Sequence, residues 1–206
     1  MNKIEHTEFD WTARHPNAHE LNLGSGRVIW ITGLSGSGKT TVAIELSKLI
    51  SSRGFKPILL DGDNMRQKLF ESIIPENDYG NDSRKKFGMA YSRLSLLLAS
   101  QGFVVITSVI AMFNEIFRWN RSNLPGYLEV YLRTPIKELQ KRDSKGLYSE
   151  FKKKRIRNVA GLDLKKEEPK IPDLTIDHRA NFSATKKAHA IMNFLIETHY
   201  FSLSSK

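Results

Sequence analysis

Apolar residues along this chain occur either in short unbroken runs or at a spacing of three and four positions. Arg27–Thr32, Pro57–Leu60 and Phe103–Ser108 are built on runs of the first kind, and Tyr127–Arg133 and Leu174–Asp177 are further strand-length segments, interrupted by Glu129 and Thr175. Continuous runs of that length predict strands buried on both faces of a parallel sheet. The helical spacing recurs between them. Val42, Ala43, Leu46, Leu49 and Ile50 predict a helix to about Arg53, stopped by Gly54, and Met89, Leu94, Leu97 and Leu98 predict a long one over 83–100 that Gly102 ends. Shorter helices are expected over Met65–Glu71, 113–123 and 135–142, with a last one over 184–198. Pro75–Ser83 reads as a loop, and Asp143–Pro172 as a basic, irregular stretch. Strands alternating with helices require an α/β fold, a parallel sheet covered by helices on both faces. Residues 1–26 are polar and aperiodic and read as an extension that packs through Trp11; residues 27–206 read as one domain without repeats.

The first strand runs directly into Gly33-Leu34-Ser35-Gly36-Ser37-Gly38-Lys39-Thr40-Thr41, and the first helix follows. Strand, GxxxxGK[ST] and helix in that order form a phosphate-binding P-loop. Glycines let the backbone curl around an anion so that successive N–H groups point at it, and the positive end of the helix adds attraction. All nine residues, Gly33 to Thr41, are therefore expected to bind ATP. Lys39 brings a point charge to the β/γ-phosphates, and the Thr40 hydroxyl is placed to ligate Mg²⁺. The fold expected is that of a P-loop NTPase of the nucleoside-kinase-like kind.

Asp61 and Asp63 end the second strand, where ligands gather in an open α/β sheet. Two carboxylates there can divide two tasks, holding Mg²⁺ and taking a proton from an attacking hydroxyl. The bland alternative is that Asp61 caps a helix and Asp63 faces water. Arg66 follows one turn later and suits an anionic acceptor. Arg142, Lys145 and Lys154 to Arg157 lie in the later basic stretch, which reads as a lid over about 143–172. These parts amount to a P-loop kinase of a small hydroxyl-bearing substrate.

Composition narrows the setting. There are 32 Lys and Arg against 22 Asp and Glu, a net charge of +10, which suits anionic partners. No nucleic-acid-binding motif accompanies that charge, so small nucleotides are expected rather than DNA or RNA. The run Lys152-Lys153-Lys154-Arg155 reads first as a solvated face. There is no cysteine, no apolar run of membrane-spanning length and no signal-peptide core, from which a cytoplasmic protein without membrane partners is expected. The six histidines show no metal-ligand spacing, leaving Mg²⁺ brought by ATP as the one metal expected. Trp119 reads as a core residue. Arg121 is read either as reaching the acceptor or as solvating a helix end.

Gly33–Thr41, Leu60-Asp61-Gly62-Asp63-Asn64-Met65-Arg66, Arg142-Asp143-Ser144-Lys145-Gly146-Leu147-Tyr148 and Glu168-Pro169 together resemble the adenylylsulfate kinase family over residues 27–178. That family uses MgATP to phosphorylate the ribose 3′-hydroxyl of adenosine 5′-phosphosulfate. The resemblance implies that Asp63 is the base, with Asp61 and Lys39 supporting it. It implies that Arg66 and Arg84 grip the acceptor's 5′ anion and that Lys145 reaches in from the lid. Gln67, Phe87, Ile110, Phe113 and Val159 fall at the remaining acceptor positions. The chain departs from the family at several of them. Gln67 and Val159 replace two residues that stack on adenine, Phe87 stands where many members have Asn, and Ala111-Met112-Phe113-Asn114 replaces Ser-Pro-Tyr/Phe-Arg. Ala111 also excludes a phosphoenzyme at that position, leaving direct in-line transfer. Relatives that act on cytidine diphosphoramidate in capsule biosynthesis suggest another acceptor of the same 5′-anhydride type. A non-catalytic ATP sensor and a charge-driven nucleic-acid binder are the other classes open at this point, and a homodimer contact through the extension is expected.

Overall fold

The computed structural model describes residues 26–69 and 80–201. Trp11, the expected extension over 1–26 apart from Gly26, and the end of the expected 65–71 helix lie outside the described residues. The chain runs β1 (Arg27–Thr32), α1 (Lys39–Ser51), β2 (Ile58–Asp61), α2 (Gly62–Leu69), α3 (Asn81–Ala99), β3 (Val104–Val109) and α4 (Asn114–Asn123). It continues through β4 (Tyr127–Arg133), α5 (Ile136–Arg142), α6 (Leu147–Lys152), β5 (Leu174–Asp177) and α7 (Ala184–Glu197). The five strands form one sheet in the order β2-β3-β1-β4-β5, and every pairing is parallel.

β1 lies at the centre of the sheet, flanked by β3 and β4. Val28 to Ile31 are all fully buried, and their side chains alternate between two cores. Ile29 and Ile31 join Val104, Ile106 and Val130 beneath α1 and α7. Val28 and Trp30 join Val105, Met65, Phe87 and Ile116 beneath α2, α3 and α4. Trp119 is half-buried against this second core, as its core reading requires. A third cluster brings Leu34 of the P-loop together with Leu139, Tyr148 and Val159.

Two expectations are corrected. The stretch after Asp143 contains a helix, α6. Asp143 adopts a left-handed conformation (φ 34°) at the end of α5, and its carboxylate accepts hydrogen bonds from the Tyr148 and Ser149 amides (2.8 and 2.9 Å). Those contacts nucleate a turn too short to show a hydrophobic period. Arg121 neither enters the acceptor region nor simply solvates a helix end. It donates to Asp173 (2.8 Å) and Glu129 (3.2 Å), fastening the segment before β5 to β4.

Glu129 is buried at 3% exposure, and one of its carboxylate oxygens has no hydrogen-bond partner among the described residues. Burial pushes its carboxyl up to about 7, further than Arg121 can pull it back. Its folded value exceeds its unfolded one, so this proton favours the native state below the ordinary Glu range and that advantage is lost as pH rises to about 7. Glu129→Gln should therefore melt increasingly above the wild type between pH 5 and 8, the gap approaching on the order of 3 kcal/mol. Thermal melts at each pH test this; a constant difference would count against it.

Candidate active site

The carboxyl ends of β1, β2 and β3 open on one cleft of about 140 Å³. Lys39, Thr40, Asp61, Asp63, Ile110 and Lys145 all line it. The glycines permit the loop at its floor. A Cβ on Gly33 would lie 2.7 Å from the Leu132 carbonyl oxygen, and Gly38 takes φ 90° as the residue that caps α1. That cap provides no side-chain acceptor, and the first turn of α1 carries no acidic residue. The amides of a thirteen-residue helix are thus left pointing toward the cleft, an arrangement suited to a phosphate.

Lys39 is buried, and its ammonium donates to the Leu34 carbonyl (2.9 Å). Burial lowers its pKa to about 8, with Lys145 pushing the same way and Asp63 and Asp61 opposing. Asp61 is buried at the end of β2. It accepts from the Thr40 hydroxyl (2.7 Å), from the Ser108 hydroxyl (3.2 Å) and from the Asn64 amide (3.3 Å). It therefore caps α2, as the bland reading expects, and also anchors the P-loop threonine. Asp63, on the first turn of α2, is exposed and pairs with Lys145 from the turn between α5 and α6. Thr40 and Asp61 offer adjacent hard oxygens of the kind Mg²⁺ prefers. Among the described residues no group of three His, Cys, Asp or Glu side chains could hold a metal by itself.

The other expected acceptor residues lie outside the lining of this cleft. Arg66 sits over the Phe87 ring, its guanidinium carbon 4.2 Å from the centroid. Arg84 donates to the Asn158 carbonyl in the segment after α6 (2.9 Å). Gln67 is exposed, Phe113 is half-buried against the second core, and Val159 is buried in the third cluster. Of the P-loop residues, Leu34 and Ser37 are also buried away from the opening.

Sequence reasoning missed two contributors. Ser108 braces Asp61, and its signal was the polar pair Thr107-Ser108 closing an otherwise apolar strand. Tyr148 donates its hydroxyl to the Ser35 carbonyl (3.0 Å), joining α6 to the P-loop. Nothing local to position 148 announces a contact made so far along the chain.

Because polyphosphate would restore the Lys39 proton, ATP binding at pH 8.5–9 should be accompanied by net proton uptake. Calorimetry in buffers of differing ionisation enthalpy should detect it in the wild type and not in Lys39→Met. Equal proton linkage in both would remove Lys39 as its source.

Comparison with known proteins agrees with this geometry. The family model for adenylylsulphate kinase matches residues 25–177. A cytidine diphosphoramidate kinase of Campylobacter jejuni is 35% identical over 168 residues, covering 82% of this chain and 95% of that one. An adenylyl-sulfate kinase of Clostridium acetobutylicum is 35% identical over 182 residues, covering 86% and 88%. Among solved structures, the Mycobacterium tuberculosis APS kinase CysC in complex with AMPPNP and APS superposes with a TM-score of 0.75 at 29% identity, over 84% of this chain and 98% of that one. With its P-loop, its paired aspartates and its parallel sheet, the chain belongs to the adenylylsulphate kinase family of phosphotransferases.

Proposed function

We propose that the protein transfers the γ-phosphoryl group of ATP to the ribose 3′-hydroxyl of a nucleotide carrying a 5′ mixed anhydride. The observation that carries this reading is Asp63, an exposed carboxylate in the same cleft as Lys39, Thr40 and the open end of α1. A protein that only senses ATP has no use for a second carboxylate beside the γ-phosphate. In the proposed step Asp63 takes the proton of the 3′-hydroxyl, and that oxygen bonds to the γ-phosphorus. The bond from γ-phosphorus to the bridging oxygen breaks, and its electrons leave with ADP. Lys39 and the α1 amides hold the phosphates. Thr40 and Asp61 would hold a magnesium ion carried in by the nucleotide, which supplies charge neutralisation. Lys145 must give up Asp63 for the base to act, and incoming phosphate charge favours that exchange.

Adenosine 5′-phosphosulfate is the acceptor that the family model and relatives such as the Clostridium enzyme support. A second acceptor, cytidine diphosphoramidate, is favoured by the residues around Arg66. Gln67 offers no ring, Val159 is buried among aliphatic and aromatic neighbours, and Arg66 covers one face of Phe87. The family's two adenine-stacking positions thus carry no aromatic face, and a cytosine asks for less stacking area. The Campylobacter relative carries that substrate in its name.

ADP release measured with MgATP and each acceptor at micromolar concentration separates the two. Saturable turnover with only one identifies the acceptor, and turnover with neither would sink the kinase reading. Asp63→Asn should lower kcat by about 10²–10⁴-fold while ATP affinity stays within about twofold of wild type. Near-normal turnover in that variant would take the base assignment from Asp63.

A further inference from the structure

We propose that Phe87 is a positioning residue for the Arg66 guanidinium, orienting it toward the acceptor's 5′ anion; this rests on the acceptor reading above. Arg66 belongs to α2, one turn beyond Asp63, and Phe87 belongs to α3. Two of the contacts between these helices bear on the argument. Tyr91 donates its hydroxyl to the Gly62 carbonyl at the start of α2 (3.0 Å). Burial raises that phenol to about 12, so it remains a protonated donor across the working pH range. One turn back along α3, the Phe87 ring receives the guanidinium of Arg66 on its face. Phe87 is itself 9% exposed and lies against Tyr91 with ring centroids 6.4 Å apart, so the ring is fixed from behind.

A guanidinium lying on an aromatic face keeps its N–H donors at the rim, since they lie in its own plane. The ring therefore restricts the long arginine side chain through the face of the guanidinium, not through its N–H groups. Preorganisation of this kind strengthens binding by reducing what must be ordered when the ligand arrives. Arg84 stands one turn before Phe87 on α3 and reaches the Asn158 carbonyl in the segment after α6. One line along α3, Arg84, Phe87 and Tyr91, thus joins that segment, Arg66 and the start of the helix that carries Asp63.

The competing role for Phe87 is direct stacking on the acceptor base, and the test separates the two. Phe87→Leu should raise the acceptor KM about tenfold, with the ATP KM and kcat within about twofold of wild type. Phe87→Tyr, which keeps the ring face, should restore it. In Arg66→Lys the further change Phe87→Leu should add less than about twofold, because the residue through which Phe87 acts is already altered. Additive losses, or an acceptor KM unmoved by Phe87→Leu, would overturn the proposal. Independently of turnover, the Arg66 side-chain N–H resonance should be displaced by the ring in wild type and Phe87→Tyr and return toward its ordinary position in Phe87→Leu. If no acceptor turns over, the kinase reading fails, and this resonance still decides whether Phe87 orients Arg66; an unmoved signal overturns that too.

Discussion

The carboxylate of Asp61 is the contact on which the site depends. Buried at the end of β2, it needs hydrogen-bond donors, and it takes them from α1, β3 and α2. Each donor brings a separate part of the machinery. Thr40 comes with the P-loop helix, Ser108 with the strand beside β2, and the Asn64 amide with the helix that bears Asp63 and Arg66. The placement of the P-loop helix and of the helix that bears Asp63 is thereby referred to one side chain. The same bonds satisfy the buried charge and fix where α2 begins.

Much of the fold was legible in the chain. β1, β4 and β5 begin and end where the sequence segments do; β1 and β4 are buried along almost their whole length, and a strand buried on both faces tolerates few polar interruptions. The P-loop was equally plain, since its glycines, lysine and threonine are required by backbone geometry and phosphate charge. What stayed hidden depended on contacts distant in sequence or on very short elements. α2 starts at Gly62, a residue with poor helix propensity, because Asp61 caps it. α6 is held by Asp143 and Gly146 rather than by any periodicity. Arg121 looked like a ligand-reaching cation because its partners, Glu129 on β4 and Asp173 before β5, are brought beside it only by the sheet.

The acceptor region shows the same boundary. The sequence marked Arg66, Arg84, Phe87 and Val159 by position within a family pattern, and side-chain placement alone separates their surroundings. Val159 belongs to an apolar cluster with Leu34, Leu139 and Tyr148. Arg84 is turned to the backbone of the segment after α6, and Phe87 lies beneath a guanidinium. α6 and the segment after it are accordingly rooted in the phosphate loop through Leu34 packing and the Tyr148–Ser35 hydrogen bond.

The layout of the sheet separates two kinds of heritable change. Under the proposed function, residues that handle triphosphate sit on the loop after β1, on α1 and at the ends of β2 and β3, over strands whose interiors are close-packed and intolerant of substitution. Under the same proposal, most of those that face the second nucleotide sit on α2, α3 and the segment after α6, outside the sheet's hydrogen-bond ladder. A lineage can therefore exchange a ring for an amide at position 67, or an asparagine for a phenylalanine at position 87, without disturbing the strands that build the phosphate cradle. Divergence in what is phosphorylated and constancy in how it is phosphorylated follow from the same architecture.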